Sequence, residues 1–203
     1  MTRAPPHEAA KSKSRIGLDA TRVQRAEQGR RYLAARAAVR LSFIVCDRGA
    51  TVLLSELLAP ARVRVPLRSQ TKDDLLRELV ELAAGDRDPA TRAAILGSVR
   101  EREQVLSTGI GEGVAIPHGK TPLIDQLVMA AGVCARPVDF DALDGAPVQL
   151  CFLLVGPESA AGAHVKALSR ISRLLRRDAL RDALTGAASA DEFLRVVRDS
   201  EAV

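Results

Sequence analysis

The chain has 203 residues, 47% hydrophobic and 27% charged, which is the balance of a soluble globular protein and excludes wholesale disorder, collagen and a disulfide scaffold. Aromatic residues make up only 2%, so base-stacking surfaces for single-stranded nucleic acid are scarce. Residues 1–50 hold 11 basic and 4 acidic side chains, a net charge of +7, whereas residues 51–203 hold 19 and 21, a net charge of −2. The basic character therefore belongs to the first quarter of the chain.

Residues 1–50 form a predicted basic extension. They are polar and poorly periodic, Pro5-Pro6 and the Lys11–Ser14 run are typical of disorder, and residues 20–46 are compatible with a helix. Arginine supplies 25 of the 30 basic residues, as is typical of GC-rich genomes. In such genomes, reading frames often extend upstream of the true translation start. We expect a dispensable leader or a start site placed too early, in preference to an arm that binds nucleic acid.

The cysteines and the hydropathy indicate a cytoplasmic protein. Cys46, Cys134 and Cys151 are odd in number and widely spaced, with no C-x-x-C motif. This pattern argues against a disulfide framework and a zinc knuckle. No apolar run approaches the roughly 18 residues that a membrane span needs, so no membrane insertion is expected.

Residues 51–203 are predicted to form a single α/β domain. Thr71, Asp88 and Ser189 have the residue types and spacings of helix N-caps. Hydrophobic periodicity predicts a short helix over 53–58, a strand at 63–65, helices over 71–85 and 88–104, a glycine-rich loop over 107–113, strands over 114–116, 127–134 and 148–155, and helices over 160–175, 178–184 and 189–197.

Three side chains are candidates for chemistry. His118 lies between Pro117 and Gly119 at the end of a short apolar strand; proline restricts the backbone there, and glycine is expected to let the chain turn away. His164 lies in the first turns of the helix over 160–175, where free N–H groups favour anions. Arg102 precedes the glycine-rich loop, and arginine suits phosphoryl oxygens. For each residue taken singly, the sequence favours a structural interpretation: a turn histidine for His118, a surface histidine for His164 and a solvated arginine for Arg102.

Several familiar ligand motifs are excluded. The loop over 107–113 has G-x-G-x-G spacing without the dinucleotide continuation, and a helix precedes it while a strand follows, the reverse of a Rossmann turn. No P-loop signature is present. Asp139, Asp141 and Asp144 suggest calcium, but Leu143 stands where an oxygen ligand is required, so a turn is predicted. The sequence predicts no cofactor and no metal.

Together these pieces resemble a known active-site signature, that of enzyme IIA proteins of the phosphoenolpyruvate-dependent phosphotransferase system, in the fructose/mannitol/nitrogen-regulatory class. The similarity spans roughly residues 52–200, and within the class the Ser107–Gly111 run is most like the nitrogen-regulatory branch. Glu112 departs from that branch, which often has a neutral residue there. The similarity rests on Arg102-Glu103, Ser107–Lys120, Pro137–Val148, the strand over 148–155, His164 and Leu168.

The resemblance implies a three-layer α/β/α domain with a mixed central sheet. It also implies roles: His118 is the histidine phosphorylated on its tele nitrogen, His164 is a supporting histidine, and Arg102 stabilises the phosphoryl group. The implied donor is an HPr-like phosphohistidine carrier protein. No nucleic-acid partner is expected.

Three functions stay open at this point. The preferred one is a phosphoryl carrier that acts mainly as a regulator through protein contacts with a target protein. The second is a sugar-specific component of the fructose/mannitol type that passes phosphate to an enzyme IIB. The third is a non-catalytic interaction module on the same fold, against which the presence of His118, His164 and Arg102 argues.

Overall fold

A computed structural model describes residues 52–202, and the predicted extension over residues 1–50 lies outside them. Seven helical segments and six strands make up the described range. In chain order they are α1 (Leu54–Leu57), β1 (Leu58–Leu67), α2 (Lys72–Ala84), α3 (Pro89–Val105), β2 (Gly109–Gly111), β3 (Val114–Ala115), β4 (His118–Lys120), β5 (Val128–Val138), β6 (Val148–Gly156), a 3-10 turn (Glu158–Ala160), α4 (Ala161–Leu174), α5 (Asp178–Thr185) and α6 (Ala190–Glu201).

The strands form one mixed sheet in the order β1-β5-β6-β3-β2, with β4 also paired to β6. β5 runs antiparallel to β6, whereas β1 is parallel to β5, and β3 and β4 are parallel to β6. β3 and β4 therefore lie one after the other along the same side of β6. His118, the first residue of β4, pairs with Leu154.

Both faces of the sheet are covered, which gives three layers and confirms the predicted α/β/α architecture. One apolar cluster lies under α2 and α3, and a second lies under α4, α5 and α6. Strand β6 supplies alternate residues to the two clusters, which explains its unbroken apolar run from Leu150 to Val155. Its contributions are Cys151, Leu153 and Val155 to the first cluster and Leu150, Phe152 and Leu154 to the second.

The predicted helix starts are confirmed by their hydrogen bonds. The Thr71 hydroxyl accepts from the Asp74 N–H, the Asp88 carboxylate from the Ala90 and Thr91 N–H groups, and the Ser189 hydroxyl from the Glu192 N–H. Each bond satisfies an amide that the first helical turn leaves without a partner. Local sequence therefore sets these boundaries.

The first strand is longer than predicted. Periodicity indicates a strand only at 63–65 and a helix ending at Pro60, but β1 runs over Leu58–Leu67 and contains Pro60 and a cis Val65–Pro66 bond. β1 is an edge strand, paired on one side only. Proline is tolerated at an edge because no ladder partner needs its missing N–H.

Two of the three cysteines lie in the described range. Cys134 and Cys151 are buried free thiols, and Cys46 lies outside that range. Among residues 52–202, no helix is long and apolar enough to cross a membrane.

Glu201 ties the end of the domain to its beginning. Its side chain is 3% exposed, accepts the N–H groups of Leu54 and Ser55 at 2.8 and 3.0 Å, and pairs with Arg170 Nε at 2.8 Å. Burial by itself raises the pKa of Glu201, but these donors outweigh burial and lower it. The carboxylate therefore serves as the cap of α1.

We expect Glu201→Gln to lower the free energy of unfolding by about 2 kcal/mol. The reason is that a neutral amide replaces the charged carboxylate that accepts hydrogen bonds from three donors. The stabilisation by the Glu201 carboxylate is fully present above the pKa of glutamate in the unfolded chain, about 4.3. It is lost as pH falls through the lower pKa of Glu201 in the folded protein. Urea unfolding at several pH values measures it. Asp199→Asn, at an exposed position of the same helix, is the control and should change stability little. Equal stability of the two variants at pH 7 would contradict the assignment.

Candidate active site

The structure brings two of the predicted residues into direct contact. Arg102 lies in the last turn of α3, and His118 opens β4, which packs against that helix. Arg102 Nε–H donates to His118 Nε2 at 3.1 Å, and its Nη1 donates to the Leu106 carbonyl at 2.9 Å. The guanidinium is thus held at the nitrogen expected to take the phosphoryl group.

The other ring nitrogen defines the tautomer of His118. Nδ1 lies 2.9 Å from the Ile116 carbonyl oxygen, which accepts hydrogen bonds and cannot donate one. Nδ1 therefore carries the proton, and Nε2 holds the lone pair that faces Arg102. The nucleophilic atom in this arrangement is the tele nitrogen.

Electrostatics keep His118 neutral near pH 7. Partial burial lowers its pKa below the ordinary 6.5, and the positive charge of Arg102 lowers it further. The bond to the Ile116 carbonyl and the carboxylate of Glu103 act in the opposite direction. A neutral imidazole is the nucleophilic form.

His164 stands beside His118 on α4. The two rings have centroids 5.9 Å apart and are tilted by 59°. His164 is 2% exposed, and its Nδ1 has no hydrogen-bond partner. Burial, together with His118 and Lys120, lowers its pKa to about 4, so it too is neutral at pH 7 and able to donate one hydrogen bond.

We expect an NMR titration of the imidazoles to show His118 with a midpoint below 6.5 and His164 with a midpoint near 4. In Arg102→Gln the midpoint of His118 should rise, because the variant removes both a nearby cation and a donor to Nε2. A midpoint for His118 at or above 6.5 in the unmodified protein would contradict the contact with Arg102.

Gly119 is needed for a different reason from the one predicted. The sequence predicts that it turns the chain, but it lies within β4 and outside the left-handed region. A Cβ there would lie 2.5 Å from Ser98 Oγ and 2.9 Å from the Val99 nitrogen. Glycine therefore allows β4 to approach α3, one turn before Arg102, and so sets the distance from Arg102 to His118.

The aspartate segment after β5 is a turn, as predicted, and it supports the glycine-rich loop. Asp144 accepts the Glu112 N–H at 2.9 Å and the Ala146 N–H at 3.0 Å. Glu112 has a left-handed φ of 55°, a conformation that costs energy for a residue with a Cβ. Within residues 52–202, no group of three or more His, Cys, Asp or Glu side chains is placed to hold a metal ion.

Sequence reasoning assigned no role to Glu103 and Lys72. Glu103 is 8% exposed, and Lys72 Nζ lies 2.9 Å from its carboxylate. One signal was available: Ile95, Val99 and Glu103 follow one another at four-residue spacing, which places the glutamate on the apolar face of α3.

Comparison with known proteins identifies the family. The model of the family described as "Phosphoenolpyruvate-dependent sugar phosphotransferase system, EIIA 2" matches residues 56–200. The chain therefore belongs to the type 2 enzyme IIA family of this system, and the predicted resemblance is confirmed.

Relatives include nitrogen regulatory proteins and a sugar-specific component of the same system. The chain is 36% identical to the nitrogen regulatory protein of Bradyrhizobium diazoefficiens over 144 residues, 71% of this chain and 94% of that protein. It is 34% identical to the fructose-specific EIIABC component of Bacillus subtilis over 148 residues, 73% of this chain but only 23% of that protein.

Solved structures agree with the fold. The nitrogen regulatory protein IIA-Ntr from Neisseria meningitidis superposes with a TM-score of 0.67 at 32% identity, over 71% of this chain and 98% of that one. The mannitol IIA of Escherichia coli gives a TM-score of 0.56 at 16% identity, over 69% and 98% of the two chains, and shares the fold.

Proposed function

We propose that this protein is a phosphoryl carrier that accepts a phosphoryl group on Nε2 of His118 and acts mainly as a regulator through protein contacts. The observation that carries the proposal is the state of His118. Its Nδ1–H is held by the Ile116 carbonyl, and its Nε2 lone pair meets the Arg102 guanidinium. This is a neutral imidazole with its nucleophilic atom next to an anion-binding group.

The transfer is an exchange between two histidines. The Nε2 lone pair of His118 attacks phosphorus in line, the N–P bond of the donor phosphohistidine breaks, and the donor ring, protonated on its other nitrogen, leaves as neutral imidazole with that electron pair. Arg102 shifts from Nε2 to the phosphoryl oxygens. The His118 ring becomes cationic, and the Ile116 carbonyl on Nδ1–H stabilises it. Because bonds of similar energy are exchanged, positioning is most of the task.

The surface around the site suits a protein donor. Exposed apolar patches mark protein–protein interaction sites, and large apolar side chains are exposed on segments that adjoin Arg102, His118 and His164. They are Val105, Leu106, Ile110, Leu123 and Val165. An HPr-like phosphohistidine carrier protein is the proposed donor.

The relatives favour regulation over sugar uptake. The nitrogen regulatory proteins match this chain over nearly their whole length. Phosphorylation adds nearly two negative charges at the surface, so the affinity of a target protein that binds this face changes with phosphorylation. We also propose that the protein acts in the cytoplasm, because its cysteines are odd in number and widely spaced. We propose no nucleic-acid partner, because aromatic residues are few.

Transfer to an enzyme IIB is the second candidate function. The fructose-specific relative and the shared fold with mannitol IIA favour it, and a structure of that fold is a complex of mannitol IIA with phosphorylated IIB. In a chase experiment, a fructose-type enzyme IIB that discharges the phosphoprotein within seconds would support uptake. Phosphoprotein that persists alongside active enzyme IIB supports regulation.

Intact-mass spectrometry of the full chain tests the carrier function. After incubation with phosphoenolpyruvate, enzyme I and the histidine carrier, we expect one acid-labile phosphoryl group per chain. A version starting near Thr51 should accept it equally well if the extension is dispensable. A folded protein that stays unmodified beside active partners would favour the non-catalytic interaction module.

A further inference from the structure

An ion pair with a buried carboxylate and a partly exposed ammonium group lies beneath the active site and has no part in the transfer described above. Lys72 Nζ of α2 lies 2.9 Å from the carboxylate of Glu103 in α3, whose side chain is 6% exposed. Burying two charges costs several kcal/mol per ion, and apolar residues of similar volume often hold a fold equally well. The contacts of the pair therefore bear on its role.

A continuous series of hydrogen bonds leads from Glu103 to the nucleophile. The carboxylate accepts the Thr108 N–H at 3.0 Å and the Thr108 hydroxyl. The Thr108 carbonyl accepts the Ile116 N–H at 3.0 Å. The Ile116 carbonyl accepts the proton on His118 Nδ1 at 2.9 Å. Each step holds the orientation of the next group.

The same pair also anchors the surroundings of the site. Lys72 Nζ bridges to Asp141 at 3.1 Å and lies 4.8 Å from the centre of the Phe140 ring. The Ser107 hydroxyl donates to the Phe140 carbonyl at 3.1 Å. The start of the glycine-rich loop is thus attached to α2, to α3 and to the turn after β5.

We propose that Glu103, neutralised by Lys72, is the positioning residue of this site: it orients His118 through Thr108 and Ile116, and it holds the helical turn that carries Arg102. The inference rests on the proposed function, since it assigns Glu103 to the reaction of His118. Glu103 does not touch the phosphoryl group and is not a catalytic residue.

The pKa of His118 distinguishes a charged positioning residue from a purely structural one, because only the charged residue shifts it. Glu103 raises the pKa of His118, against burial and Arg102. Arg102 of α3 is the other charge that acts on His118, the ring of His164 lies 5.9 Å away, and Lys120 on the same strand is paired with Glu158. Removing the Glu103 carboxylate leaves Arg102 as the charge that acts on His118, so we expect the pKa of His118 to fall.

The first test compares Glu103→Gln with Glu101→Gln in the full chain. Glu101 is an exposed glutamate two residues earlier on the same helix. With phosphoramidate as a small donor, whose P–N bond breaks with loss of ammonia, we expect Glu103→Gln to slow phosphorylation by about 10- to 100-fold. The acid limb of its pH profile should move to lower pH. Glu101→Gln should match the unmodified protein in both rate and profile.

A second pair of variants separates orientation from charge. Thr108→Val removes the hydroxyl donor at nearly constant volume, and Thr108→Ser keeps it. We expect Thr108→Val to slow phosphorylation by about tenfold with the acid limb unmoved, and Thr108→Ser to retain most of the rate.

An NMR titration of His118 keeps the inference separate from the carrier function, because it needs no transfer. A lower midpoint in Glu103→Gln than in Glu101→Gln supports the inference even if the protein accepts no phosphate. Equal midpoints, or a folded Glu103→Gln protein that reacts at the unmodified rate, would overturn it.

Discussion

Replacing His118 with glutamine is expected to abolish phosphoryl acceptance completely. Glutamine places an amide near the position of Nε2 and still meets Arg102, but its nitrogen lone pair is delocalised into the carbonyl and is not nucleophilic. Intact-mass spectrometry under the conditions that phosphorylate the unmodified chain measures the loss. The variant should stay folded, because His118 is only partly buried.

Two further histidine variants serve as controls for this result. His7→Gln alters the remaining histidine of the chain and should accept one phosphoryl group at the normal rate. His164→Gln should still accept it, but about 10²-fold more slowly, as on losing one positioned donor at a developing charge. One phosphoryl group on His118→Gln that disappears in a variant lacking both site histidines would make His164 the acceptor.

The second large effect is expected for Gly119→Ala, a change of one methyl group. The added Cβ would overlap Ser98 Oγ at 2.5 Å and the Val99 nitrogen at 2.9 Å. The Val99 nitrogen is a backbone atom and cannot rotate aside as a side chain can. We therefore expect β4 to move away from α3, which moves His118 away from Arg102. We expect transfer to fall about 10²-fold and the free energy of unfolding to fall by about 1–3 kcal/mol, measured by transfer kinetics and urea unfolding.

Two other glycines provide matched controls for the methyl group. A Cβ added at Gly97 in α3 or at Gly162 in α4 would meet no atom within 4 Å, and neither residue has a positive φ. Their alanine variants should keep full transfer and gain up to about 1 kcal/mol of stability, because alanine is the better helix former. Equal transfer in Gly119→Ala and Gly97→Ala would show that the close approach of β4 does not control the site.

The resting site has a direct consequence for its mechanism. Arg102 Nε–H occupies the lone pair that would attack phosphorus in the proposed transfer, so that transfer requires this bond to be exchanged for bonds to phosphoryl oxygens. Neutral imidazoles at His118 and His164 remove like-charge repulsion from the site. The Arg102 guanidinium is therefore the cation in direct contact with the proposed acceptor nitrogen.

The sequence by itself determined the helix starts and supplied the candidate site residues. Helix starts at Thr71, Asp88 and Ser189 depend on side chains bonding to amides three residues away at most, which is local information. The resemblance around Arg102 and His118 indicated the family, which the comparisons confirm. The roles of Arg102, His118 and His164 remain proposals with the tests above.

Only the tertiary structure decided how these residues act together. Contacts between α3 and β4 join residues 16 or more positions apart. They place Arg102 against Nε2 of His118, and they explain why residue 119 is glycine. The pairing of Lys72 with Glu103 joins two helices across 31 positions of the chain. No local pattern encodes such contacts, because they follow from how both faces of one sheet are covered.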